Sequence, residues 1–299
     1  MGLALALTAS AAWGVVPIAL KIALQRMDAY TITWYRFAVS AAVLCAILAW
    51  QARMPAVTRI DRHGWRLLLV ALVGLAGNYT LYLLALQHTT PAINQVVTQL
   101  SPLFLLLGGL VVYKESFSKK QWLGLVTLVG GLLLFFNRRL PELANVRGGV
   151  GLGVLLLLFA AIVWAAYALA QKDLLRRMGS PQILSLLYVG ATVLMLPLAQ
   201  PGEVRDLDGF HLAILAFCCA NTLVAYGAFA EAMEHWEVSR VSAVIALGPI
   251  FTLAGMRALS HLSPGLLEPE RLTSLSVAGA LMVVGGSALC AFGQTRETE

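Results

Sequence analysis

Apolar residues run for about twenty positions at a time, and the breaks between runs are short and either charged or rich in Pro and Gly. Ten runs are read, near 3–24, 29–50, 64–86, 90–113, 120–137, 149–171, 181–199, 209–233, 238–259 and 272–293. A helix needs about 20 largely apolar residues to cross a bilayer. The pattern therefore predicts an all-α integral membrane protein of ten transmembrane helices, with little chain left for a soluble domain. No basic segment precedes the first run and more spans follow it directly, so it is expected to be the first helix rather than a cleaved signal peptide.

One stretch departs from uniform apolarity. From Asn78 to Pro102 the chain repeatedly admits amides, hydroxyls and phenols. On helices, Asn78, Tyr79 and Tyr82 fall on one face, and Gln95 and Gln99, four apart, share another. The flanking sequence is too apolar for these faces to meet water, so they are expected to line a cavity inside the bundle. Hydrogen bonding between packed helices is the competing reading.

Composition agrees with the pattern. The 299 residues are 59% hydrophobic and 12% charged, with a mean hydropathy of +0.80, whereas soluble domains carry about 25% charge. The net charge of +6 lies in short loops and forms no basic patch interleaved with aromatics, so no nucleic-acid partner is expected. Twelve Lys and Arg fall in one set of alternate loops and seven in the other, which predicts both termini in the cytoplasm. Arg138, Arg139 and Arg147 run against that bias. Cys45, Cys218, Cys219 and Cys290 lie in spans without ligand spacing, and read as small packing residues. Neither a metal site nor a cofactor is expected.

The chain repeats itself. Trp13 precedes Lys21 as Trp164 precedes Lys172, Tyr79 aligns with Tyr226, Tyr82 with Phe229, His88 with His235, and Ser101-Pro102 with Gly248-Pro249. Gly124 with Gly130-Gly131 reads like Gly279 with Gly285-Gly286. Residues 1–147 and 148–299 are therefore read as two five-helix copies. Five is odd, so the second copy enters the membrane from the opposite side, which gives inverted repeats and a transporter architecture.

Gly74 and Gly77, Gly108 and Gly109, and the Gly pairs at 130 and 285 are expected to let backbones approach closely. Pro102 and Pro249 remove helix hydrogen bonds at equivalent points and are candidate gating hinges. Arg36, about six residues into its span or roughly 9 Å of rise, is expected to snorkel to the interface. Pairing with a neighbouring helix or a substrate carboxylate is its alternative. Lys21 and Lys172 read as interfacial, His88 and His235 as capping or solvated, and Glu231 as a candidate proton-coupling carboxylate.

The stretches W-Y-R-F-A-V-S-A (Trp34 to Ala41) and Y-K-E-S-F-S-K-K-Q-W-L-G (Tyr113 to Gly124) resemble the drug/metabolite transporter superfamily, specifically its EamA-type ten-span exporters. Glu115 and Gly124 match that family's E-x-x-x-x-x-Q-x-x-G pattern. The aromatic positions look most like amino-acid exporters of the YddG type. The resemblance implies a basket of ten helices around a central cavity, alternating access, and export of amino acids including aromatic ones across the inner (plasma) membrane. The second copy departs from the pattern: the Glu115 position falls near Leu262, and the Arg36 position is lost.

Trp13, Asn78, Tyr79, Tyr82, Gln99, Trp164, Asn221 and Tyr226 are the expected substrate-binding residues. Aromatic faces would hold apolar or cationic parts of a small-molecule substrate, and the amides would meet its ammonium or carboxylate. A membrane-embedded enzyme would need a nucleophile or metal motif inside spans, and no G-x-S-x-G or H-E-x-x-H is found. A channel would favour rings from an oligomer, whereas this duplication is internal, so a monomer or loose dimer in the lipid bilayer is expected.

Overall fold

The computed structural model describes residues 1–113, 118–143, 149–236, 238–268 and 272–292. Glu115 and Arg147 lie outside them. The described helices are α1 (Gly2–Ala23), α2 (Ala29–Trp50), α3 (Arg62–His88), α4 (Pro91–Thr98), α5 (Ser101–Tyr113), α6 (Lys119–Phe135), the four-residue α7 (Leu140–Leu143), α8 (Gly149–Leu174), α9 (Ser180–Met195), α10 (Gly209–His235), α11 (Val238–Ile245), α12 (Gly248–Leu262) and α13 (Ser274–Phe292). Eight segments are long and apolar enough to cross a membrane, and α9 is apolar but only 16 residues long. The all-helical membrane architecture expected from the sequence is what forms.

Helix starts are set by side chains that accept the first free N–H groups. Asp28 caps α2 through the amides of Tyr30 and Thr31, Asp61 caps α3 through Gly64, and Asp208 caps α10 through His211. Asp61 and Asp208 stand in the same register of the two copies as His88 and His235, so the repeat extends to the caps. Ser118 and Gln121 form a reciprocal capping box on α6. The Gln of the family pattern thus does structural work, and so does Gly124.

Contacts recur in related pairs. α3 packs along α8 and α1 along α10, while α2 packs on α9 and α6 on α13, each helix against its own counterpart. A Cβ on Gly124 would meet the Gly286 carbonyl oxygen at 2.8 Å, and one on Gly131 would meet the Gly279 carbonyl oxygen at 2.8 Å. The early glycine of α6 faces the late glycine of α13 and the reverse, so the two helices run antiparallel. Gly130 and Gly285 take no part: the first would meet only Met282 Cε at 3.8 Å, and the second nothing within 4 Å. In each Gly-Gly pair, one residue is packed and its neighbour is not.

The runs read as continuous at 90–113 and 238–259 are each broken. α4 gives way to α5 at Gln99-Leu100, and α11 to α12 at Ala246-Leu247. Pro102 and Pro249 sit at the second position of the following helix, where a missing N–H costs nothing. The two halves differ around these breaks. α4 packs on α1, α3, α8 and α12, whereas its counterpart α11 packs on α1, α10 and α13.

Candidate functional site

The aromatic residues expected to line a cavity converge on the middle of the bundle. The Trp13 indole stands edge-on to Tyr226 at 5.3 Å between centroids, and tilted to Phe229 at 5.4 Å. Trp164 packs against the cluster that holds Phe37, Tyr79, Tyr167 and Tyr188. Tyr79 is buried and lies 4.8 Å from Phe37. Tyr82 and Tyr226 are half-buried, Tyr82 packed against two core clusters and Tyr226 against the one that holds Tyr79.

The amides divide. Asn78 donates from Nδ2 to the Ala160 carbonyl at 2.9 Å, and Asn221 from Nδ2 to the Ala12 carbonyl at 2.9 Å. These bonds tie α3 to α8 and α10 to α1. The close approach of Gly74 to the Val163 carbonyl, 2.6 Å from where a Cβ would stand, occupies the register of Asn221 against Ala12. Asn221 Oδ1 remains buried without a partner. Gln99, at the break between α4 and α5, is buried; its backbone N–H donates to the Val96 carbonyl at 3.3 Å, and its side-chain amide makes no hydrogen bond among the described residues.

Of the hinge candidates, Pro249 is buried and Pro102 exposed. Glu231 lies near the end of α10, half exposed beside His235 at 3.5 Å. Lys21 reaches the α3 C-terminus and donates to the carbonyls of Leu86 at 2.5 Å and Thr89 at 2.8 Å. It caps a helix there, which an interfacial lysine can do. Cys218, Cys219 and Cys290 are buried and unbridged, as packing residues are, and the described residues contain no group able to hold a metal.

Arg36 does not snorkel. It is 6% exposed, donates from Nε to Thr222 Oγ1 at 3.2 Å, and lays its guanidinium 4.6 Å from the centre of the Tyr79 ring. Thr222 is fixed in turn by donating to the Cys218 carbonyl at 3.0 Å. Thr33 and Ser40, on the same face of α2, bury hydroxyls without partners. The sequence held the signal: Thr33, Arg36 and Ser40 share helical spacing, and a polar face at a lone charge points inward.

Residues 1–137 and 151–292 match the EamA-like transporter family. The chain is 42% identical over 294 residues to the "Uncharacterized inner membrane transporter YhbE" of Escherichia coli K12, covering 98% of this chain and 92% of the relative. It is 25% identical over 305 residues to the "Probable amino-acid metabolite efflux pump" of the same strain, covering 97% and 94%. A crystal structure of a protein 19% identical in sequence superposes with a TM-score of 0.67 over 99% of this chain and 98% of that one, a likeness of fold.

Proposed function

The chain belongs to the EamA-like transporter family, and from that premise we propose that it exports amino acids, aromatic ones included, across the inner membrane by alternating access. The observation that carries this reading is the pair of broken helices. Discontinuous spans at equivalent points of inverted copies are where secondary transporters place their substrate site. Here Gln99 stands at the first break with its side-chain amide free of hydrogen bonds among the described residues, which supports a substrate site there. In this reading residues 1–147 and 148–299 are the units that exchange conformations, Pro102 and Pro249 mark the hinges, and both termini face the cytoplasm. The distant relative named as an amino-acid metabolite efflux pump supports the substrate class. So does the aromatic surface, which suits YddG-type breadth better than tight selection.

The test is counterflow in proteoliposomes with labelled tryptophan, methionine and threonine. Saturable uptake stimulated by unlabelled amino acid inside the vesicle is expected. If no amino acid in the panel exchanges, the substrate class is wrong and other small metabolites take its place.

A further inference from the structure

Phe37 on α2 and Tyr188 on α9 stand 6.0 Å apart between ring centroids. They hold the same register of the two copies, as the helix N-caps Asp28 and Gly179 do. A residue and its counterpart meet only on the axis that relates them. For inverted repeats that axis lies in the plane of the membrane. Phe37 and Tyr188 therefore mark the middle of the bilayer, and Arg36 is the neighbour of Phe37.

An arginine at that depth is costly unless it is paired. A guanidinium offers five N–H donors, and only Nε is used among the described residues, on Thr222. The Tyr79 ring covers one face. No carboxylate partner stands beside Arg36 among the described residues: Asp28, Asp61 and Asp208 cap helix ends, and Glu231 faces His235. Tyr79 belongs to the cluster against which Trp164 and Tyr226 pack, so the guanidinium stands beside the expected substrate-binding aromatics. Its register partner on α9 is Leu187, fully buried, so the cation is present in one copy only.

We propose that Arg36 is the anion-binding residue of the transport site, taking the carboxylate of the solute in a bidentate pair, and that the substrates are compounds carrying a carboxylate. The planar fork matches a carboxylate as an ammonium does not. Thr222 positions the fork by holding Nε, which leaves the two terminal nitrogens for the ligand. One cation rather than two fixes the substrate in a single orientation. This inference rests on the transport reading, but it requires a carboxylate and not an amino acid.

Tryptophan, indole-3-propionate and tryptamine separate the two. The first two carry a carboxylate, the last two lack one of the amino acid's charges, and all share the indole. Binding is measured as thermal stabilisation of the purified full-length protein and as competition with tryptophan counterflow. The wild type is expected to bind tryptophan and indole-3-propionate about 10- to 100-fold more tightly than tryptamine, the range of a charge-assisted hydrogen-bonded pair. Arg36→Gln should lose that preference while still binding tryptamine, and Arg36→Lys should keep part of it. Tryptamine binding the wild type as tightly as tryptophan overturns the proposal without any variant, and so does a preference that survives in Arg36→Gln. Stabilisation by no carboxylate overturns it too. Arg36-dependent binding of indole-3-propionate with no amino-acid counterflow leaves the carboxylate site standing and removes the amino-acid reading.

Discussion

Gln95 on α4 and Gly248 on α12 approach so closely that a Cβ on Gly248 would stand 2.5 Å from the Gln95 side-chain nitrogen. This contact joins the half-helix α4 to α12. The corresponding pair, Ser101 and Ser242, lies between α5 and α11, which do not pack comparably among the described residues. Gly248→Val should therefore displace the buried Gln95 side chain and push α4 from α12. Spin labels at Thr90 and Leu262 are expected to show a longer distance in the variant, and Gln95→Ala in the same chain should restore the short one by removing the obstructed atom. Unchanged distances would mean that the contact is incidental packing.

The α6–α13 seam gives a stability prediction with an internal control. A Cβ on Gly131 would come 2.7 Å from the backbone nitrogen of Val283, and backbone cannot turn aside as a side-chain tip can. Overpacking of this kind costs on the order of 1–3 kcal/mol, so Gly131→Ala should lower the melting temperature in detergent by several degrees. Gly130→Ala should leave it level or raise it, because the added methyl meets only Met282 Cε at an ordinary contact distance of 3.8 Å and alanine favours the helix by up to about 1 kcal/mol. Equal losses at both positions would contradict a seam made by one residue of each pair.

Much of this was legible in the sequence, and the parts that were not share a cause. Apolar runs, the duplication and the inner position of Tyr79, Tyr82 and Tyr226 follow from composition and spacing, which depend on one chain segment at a time. The breaks at Gln99-Leu100 and Ala246-Leu247 were visible only as Ser101-Pro102 and Gly248-Pro249. A proline predicts a lost hydrogen bond, but whether the helix bends or stops depends on neighbours. Arg36 was misjudged because a long side chain six residues into a span can reach the interface in isolation. What holds it inside is Thr222 on α10 and the Tyr79 ring on α3, contacts that only the assembled bundle supplies. The amides of Asn78 and Asn221 read as ligand groups for the same reason, while their helix partners were invisible.

Outside the spans, Asp61 makes an exposed ion pair with Arg177 at 2.6 Å. The Arg177 hydrogen bond first, and the Gly64 amide second, hold its carboxyl below the usual value. A lowered folded-state pKa adds stability above the ordinary carboxylate value of about 3.9. That stability is lost as pH falls through the lowered value. Asp61→Asn keeps a competent N-cap and removes only the charge. Its melting temperature should fall slightly below wild type at neutral pH and converge with it in acid below that window, by a small amount because both groups face solvent. Parallel curves across the whole pH range would show that the pair contributes nothing.

Trp164 and Gln99 separate two kinds of recognition by what each side chain can supply. An indole offers a face, and stacking is worth on the order of 0.5–1.5 kcal/mol beyond the area it buries. Trp164→Ala should therefore weaken tryptophan several-fold, methionine less, and threonine hardly at all. Gln99 offers an amide that is buried and has no hydrogen bond among the described residues, at the break where α4 ends. Every amino acid carries the same backbone ammonium and carboxylate, so Gln99→Ala should weaken all three alike. Counterflow of the three substrates at matched protein levels reads both patterns in one experiment. Asn78→Ala belongs beside them as a contrast, because its Nδ2 is committed to the Ala160 carbonyl; it should lower thermal stability while leaving the ratio of the three rates unchanged. If Trp164→Ala and Gln99→Ala both transport at wild-type rates, the two residues pack helices as Asn78 does, and the solute is held by other groups.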